Sequence, residues 1–216
     1  MAKERSLSKL ELLPILIQTE IILRLGKHSR DAVRNILAAI PTLAQAANSP
    51  LVFRDLNLYL LTVQSLSLLH NYQNLMDLCL SAGNLEAHYL RGMQECIQKE
   101  NITEWFVHLQ IAAQGLYDNA IYLYGIIMLS RGKPAIGKLL SDSLGWIKNK
   151  ARADACWKNI KTSIHGVEVT RFEIYMTTYR GTRATITCHR DNITYMCDTC
   201  YYLKQMNKIS FHYLKQ

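Results

Sequence analysis

The stretch Ala87-His88-Tyr89-Leu90-Arg91-Gly92 returns 33 residues later as Ala120-Ile121-Tyr122-Leu123-Tyr124-Gly125, each copy a few residues after a glycine, Gly83 or Gly115, read as closing the preceding helix. Recurrence at that period is the signature of a helix-turn-helix solenoid. Small Ala and Gly at fixed positions let paired helices approach closely, while Tyr and Leu fill the space between them. Arg131-Gly132-Lys133, followed by Ile136 to Leu140, reads as the opening of a third unit. Such stacks carry no chemistry of their own and present a surface to another protein. Trp105, Tyr117 and Tyr124 are therefore candidate partner-binding residues, with core burial the commoner fate of large aromatics.

Upstream, residues 10–48 read as short helices. Leu12, Leu16, Glu20 and Leu23 share one helical face, and Leu13, Ile17, Ile21 and Leu25 share the neighbouring one, so the helix is apolar over most of its circumference and wants partners on two sides. Gly26 is the expected stop. Ser29 can cap a second helix with Asp31 in its first turn and Val33, Ile36, Leu37 and Ile40 as its stripe, before Pro41 ends it. Periodicity alone also permits an ordinary helical-hairpin core.

Downstream of about Ile164 the pattern changes. Val167, Val169, Phe172, Ile174 and Met176 lead into Thr177-Thr178-Tyr179, and Arg180-Gly181-Thr182 turns the chain toward Ala184, Ile186 and Cys188, which predicts a small β-hairpin with Gly181 in its turn. Cysteines cluster just beyond, as Cys188-His189 and Cys197-Asp198-Thr199-Cys200. Two thiolates at C-x-x-C spacing can share one ion, and a structural Zn²⁺ needs two further ligands, for which Cys188 or His189 is a candidate third and His212, His165 or Cys156 a candidate fourth. Zinc is the only cofactor these residues suggest. Buried thiols are the equally open alternative, and a redox pair is disfavoured because no thioredoxin-like pattern surrounds it.

The 216 residues are 49% apolar and 19% charged with only 10 Gly and 4 Pro, which excludes collagen-like and long disordered chains. The net charge of +8 is concentrated late in the chain. Residues 1–145 carry 13 basic and 12 acidic side chains, and residues 146–216 carry 12 and 5. No run of five or six basic residues occurs, so a dispersed solvated face is preferred over a nucleic-acid surface. The longest apolar run, Ile121 to Leu129, is too short for a membrane span. The start lacks a signal-peptide pattern, so an intracellular place, nuclear or cytoplasmic, and reduced cysteines are expected. No G-x-S-x-G, P-loop, G-x-G-x-x-G or H-E-x-x-H motif is present, and the seven His fall singly, so no enzymatic activity is expected.

Leu13-Pro14, Glu20-Ile21, Leu25, Asp31, Val33 and Ile36 resemble the F-box motif. That resemblance implies docking on a Skp-type adaptor and, through it, membership of an SCF (cullin-RING) ubiquitin ligase, with Leu13, Pro14, Ile17, Glu20, Ile21 and Leu25 as the adaptor-binding residues. Trp105 through Ala112-Ala113-Gln114-Gly115 looks like the second helix of a Sel-type repeat, a relative of the tetratricopeptide unit. Ala153-Asp154-Ala155-Cys156-Trp157-Lys158-Asn159-Ile160, Cys188-His189-Arg190 and Cys200-Tyr201-Tyr202 are similar to the C-terminal block of a plant F-box family with such repeats. The expected architecture is mainly α: an F-box-like helical segment over 1–48, a helical-repeat domain over 49–161 and a small β and Cys-rich region over 162–216. The expected function is a non-enzymatic adaptor whose repeats and basic tail bind a protein substrate. The alternatives are an F-box-like scaffold without ligase recruitment, a basic zinc-dependent nucleic-acid module and, least favoured, a Cys-dependent enzyme.

Overall fold

The computed structural model describes residues 8–97, 102–145, 149–165, 177–178, 181 and 200–207. Among the described residues α-helices follow one another: α1 (Ile15–His28), α2 (Arg30–Ala39), α3 (Ala44–Ala47), α4 (Pro50–Asp55), α5 (Tyr59–Thr62), α6 (Gln73–Ser81), α7 (Leu85–Ile97), α8 (Ile102–Gln114), α9 (Asp118–Ser130), α10 (Pro134–Ser143) and α11 (Lys150–Ser163). Residues 200–207 are also helical, and no strand occurs among the described residues.

The repeat is real and its glycines explain it. α7 packs on α8 and α9 packs on α10, two helical pairs 33 residues apart. A Cβ on Gly92 would lie 2.9 Å from the Leu109 Cγ and 3.2 Å from the Trp105 carbonyl oxygen, and one on Gly125 would lie 3.2 Å from the Leu140 Cβ and 3.4 Å from the Gly137 carbonyl oxygen. Both glycines thus sit where a pair closes. Ala87 and Ala120, Tyr89 and Tyr122, and Leu90 and Leu123 are all buried at equivalent positions, as a repeated packing scheme requires.

Two details differ from the expectation. α10 completes the second pair against α9 and does not open a third unit, because Gly137 and Gly125 bring those two helices together. The residue equivalent to Gly83 is Leu116, not Gly115. Gly83 has φ +79° and Leu116 has φ +66°. In both turns the next backbone N–H reaches back to close the helix, Asn84 to the Cys79 carbonyl at 2.9 Å and Tyr117 to the Ala112 carbonyl at 3.0 Å. Gly115 is instead the point where the Leu85 side chain crosses the chain.

Asn84 joins the repeats to what precedes them. Its Oδ1 accepts from the Ala87 N–H at 3.0 Å at the start of α7, and its Nδ2 donates to the carbonyls of Phe53 (2.9 Å) and Leu56 (2.8 Å) at the end of α4. A buried Asn with all these partners fixes the angle at which α7 leaves the N-terminal part.

In that N-terminal part, Ser29 caps α2 as expected, its Oγ accepting from the Ala32 N–H at 3.2 Å. Gly26 does not stop α1, which runs on to His28. Gly26 is buried inside the helix, and a Cβ there would lie 3.2 Å from the Leu56 Cδ1, so its role is close packing against the turn after α4. The expected boundary at residue 48 falls between α3 and α4, and one apolar core runs across it from Ile22 to Ile164.

Beyond the second pair, α11 lies against α9 and α5 and enters that core through Ala153, Cys156 and Ile160, while the Ser163 hydroxyl donates to the Thr62 carbonyl. Of the expected hairpin, only Thr177, Thr178 and Gly181 are among the described residues. All three are helical, which corrects the β reading there. The other residues of the expected hairpin lie outside the described residues.

Candidate functional site

An exposed apolar patch crowns the N-terminus of α1. Leu12, Leu13, Ile15, Leu16 and Ile17 are 67, 37, 44, 78 and 48% exposed. Five large apolar side chains clustered around Pro14 and left in water are a candidate interaction surface. Pro14 is the N-cap of α1, with extended ψ of 144°, so the patch spans the turn into the helix and its first turn. Glu20 and Arg24 form a 2.7 Å ion pair on the rim, an exposed pairing worth little to stability and suited to orientation.

Gln18 holds this patch in shape. It is buried, and its Nε2 points back to the carbonyls of Leu13 (2.9 Å), Glu11 (3.2 Å) and Leu10 (3.3 Å), tying the entering chain onto the helix. Glu11 adds a second tie, its Oε1 accepting from the Thr42 hydroxyl at 2.6 Å. In the sequence Gln18 looks like a mere interruption of an apolar run; only the fold shows that it gathers three carbonyls.

The structure divides the six expected adaptor-binding residues. Leu13, Pro14, Ile17 and Glu20 are exposed on one side of α1, Ile21 is half-buried, and Leu25 packs on the main core beside the buried Ile22. Leu25 is thus turned away from the exposed face, because the last turns of α1 pack against α2 and α4. Leu12, Ile15 and Leu16 are exposed beside the others.

Trp105, Tyr117 and Tyr124 are corrected from partner contacts to core. Trp105 is fully buried at the α7–α8 contact, with its ring 5.6 Å from that of Phe106. The half-buried Tyr117 meets the buried Tyr89 with tilted rings 5.3 Å apart, and the buried Tyr124 meets Phe106 edge-on at 5.0 Å. Burial pushes the Tyr117 hydroxyl up, with Glu86 nearby adding to the shift.

Of the expected zinc ligands, Cys188, His189, Cys197 and His212 lie outside the described residues. Cys200 is half-buried and helical. No group of three or more His, Cys, Asp or Glu among the described residues is arranged to hold a metal. The buried Cys79 and Cys156 thiols are both pushed up to about 12, chiefly by burial, so neither is a nucleophile at neutral pH. No helix among the described residues is long and apolar enough to cross a membrane.

One pair of titratable groups was invisible in sequence. His88 on α7 and His108 on α8 meet across the first helical pair with their Nδ1 atoms 2.9 Å apart and ring centroids 5.1 Å apart. One ring must donate to the other, so at least one is neutral. Burial lowers both pKa values, with His108 acting on His88 and Arg91 on His108, while Glu104 and Glu95 oppose the shift at His108.

The fold is a helical-repeat array preceded by an N-terminal helical pair whose α1 leaves apolar side chains exposed. The family described as plant tetratrico peptide repeats matches residues 60–165. An F-box protein of Arabidopsis thaliana is 32% identical over 142 residues, which cover 66% of this chain and 86% of that protein. The chain belongs to the family of that plant F-box protein. No solved structure matches it.

Proposed function

We propose that the chain is a non-enzymatic adaptor, an F-box-type substrate receptor of an SCF ubiquitin ligase. The N-terminal patch docks a Skp-type adaptor, and the repeat region holds a protein target. The observation that carries this reading is the exposed stripe Leu12, Leu13, Ile15, Leu16 and Ile17 on a helix whose opposite face, through Ile22 and Gly26, is committed to the core. A helix apolar on two sides has buried one within its own chain, and the other fits the groove of a partner by the helix-in-groove mode.

Covering one such side chain contributes about 1.5–3 kcal/mol, so losing two anchors weakens docking by about 3–6 kcal/mol. The double substitution Leu13→Ala with Leu16→Ala is expected to abolish co-purification with a Skp-type adaptor at unchanged helical content, since neither residue is in the core. Retained binding by the variant sinks the assignment of this face. Failure of the unsubstituted chain to bind any such adaptor replaces the reading with that of an interaction scaffold without ligase recruitment.

A further inference from the structure

A cavity of about 220 Å³ opens where α1 gives way to α2, beside the chain that enters α5. Its base is apolar, made by Leu58 and Leu61, each 1% exposed. Tyr59 and Leu60 also line it and are exposed, so the apolar surface continues past the mouth. The wall is held in place through Asn57. Its backbone N–H donates to the Gly26 carbonyl at 2.9 Å, its Nδ2 donates to the Lys27 carbonyl at 3.2 Å, and its Oδ1 accepts from the Tyr59 N–H at 2.9 Å. The volume is smaller than that of a drug-sized site and suits a single residue.

Arg30 gives this cavity its charge, and that charge is poorly answered. Its side chain is 18% exposed, with the guanidinium over the Tyr72 ring and 4.9 Å from its centre. Nη1 is buried without a hydrogen-bond partner. Nη2 stands 3.8 Å from the Asp31 Oδ1, beyond hydrogen-bond reach, and Arg34 shares that oxygen at 3.6 Å. A guanidinium cannot shed its charge, so burying part of one without an acceptor is costly. No Asp or Glu lines the cavity. The missing element is an anionic acceptor, and the positive end of α2, which begins at Arg30, favours the same charge.

We propose that this cavity binds the carboxyl-terminal residue of a partner polypeptide whose last side chain is apolar. The side chain fills the base against Leu58 and Leu61, the terminal carboxylate pairs with the Arg30 fork, and the preceding residues run out over Tyr59 and Leu60. An internal Asp or Glu would carry its carboxylate on the very side chain that has to fill the apolar base. A chain end carries both groups on one carbon and satisfies both walls at once. None of the five exposed side chains around Pro14 lines the cavity, so the inference does not rest on adaptor docking.

The test titrates the full chain with a short fluorescent peptide of Gly and Ser ending in Leu, as the free acid and as the amide. The acid is expected to bind at least about tenfold tighter, the difference a charge-assisted pair makes. Arg30→Gln is expected to remove that difference at unchanged helical content, leaving the amide unaffected. Leu60→Glu changes an exposed residue, sets a like charge at the mouth and is expected to weaken the acid alone; it decides the matter should Arg30→Gln not fold. Absent binding of the acid, equal binding of acid and amide, or acid binding indifferent to both variants overturns the proposal. An amidated peptide with Glu as its last residue that binds as tightly as the acid also overturns it, in favour of an acidic side chain. Displacement by N-acetyl-leucine at an equal concentration overturns it in favour of a small free acid.

Discussion

Replacing Gly137 with alanine sets two known effects against each other at one atom. Alanine is the better helix former by about 1 kcal/mol, so on local grounds the change stabilises α10. The new methyl, however, would stand 2.5 Å from the Leu129 Cγ and 2.8 Å from the Gly125 carbonyl oxygen. The first neighbour is a branch carbon and the second is backbone, so neither escapes by rotating a flexible tip, and the α9–α10 pair must separate. Overpacking of this kind costs about 1–3 kcal/mol, and occasionally more. The net expectation is a loss of about 1 kcal/mol or somewhat more, read as a fall in Tm of about 2–4 °C per kcal/mol in a chain of this size. Gly125→Ala is the internal comparison. Its methyl would meet neighbours at 3.2–3.4 Å, close enough to be felt and loose enough to be absorbed, so Tm should stay within about 2 °C, whereas Gly125→Leu should fall with Gly137→Ala. Thermal unfolding followed by circular dichroism reads all three. A rise in Tm for Gly137→Ala would refute the reasoning, since helix propensity would then have prevailed and the two helices would not be in contact at these glycines.

Two further predictions concern the turns and the histidines. Leu116 holds a left-handed conformation that costs an L-residue about 1–2 kcal/mol, and its side chain is exposed, so Leu116→Gly should raise Tm even though glycine adds entropy to the unfolded chain; a fall would show that the leucine makes a contact worth more than the strain. His88 and His108 both have folded pKa values below the ordinary 6.5, so the stability they contribute is complete above that value and is lost as pH falls from there through the folded pKa values. Arg91 and Glu95 on α7, Glu104 on α8 and Asp77 on α6, paired to Arg91 at 2.8 Å, are the charges around them. His108→Gln should therefore flatten the decline in Tm between about pH 7 and 5, and an unchanged acid slope would assign that decline elsewhere.

The sequence by itself determined the period, the helical class and the close contacts. Gly92 and Gly125, with Ala87 and Ala120, are legible because a helix pair can close only where side chains are small, and that need is written into adjacent positions of one strand of text. The candidate patch was legible in outline for a similar reason: a helix apolar on two faces announces that one of them wants a partner. Which face was free was decided by the tertiary structure, since Leu12, Leu16 and Leu25 look alike until α2 and α4 cover one side of α1. The left-handed turn at Leu116 was equally hidden, because the closing bond from Tyr117 to Ala112 imposes on leucine a conformation that sequence statistics reserve for glycine. Trp105 and Tyr124 passed from surface candidates to core because burial is a property of the helices packed around a residue, not of the residue. The hydrogen bond from the Tyr122 hydroxyl to Gln205 joins residues 83 apart in the chain. Contacts of that kind arise from packing energies summed over the whole fold, and they leave no local periodicity to read.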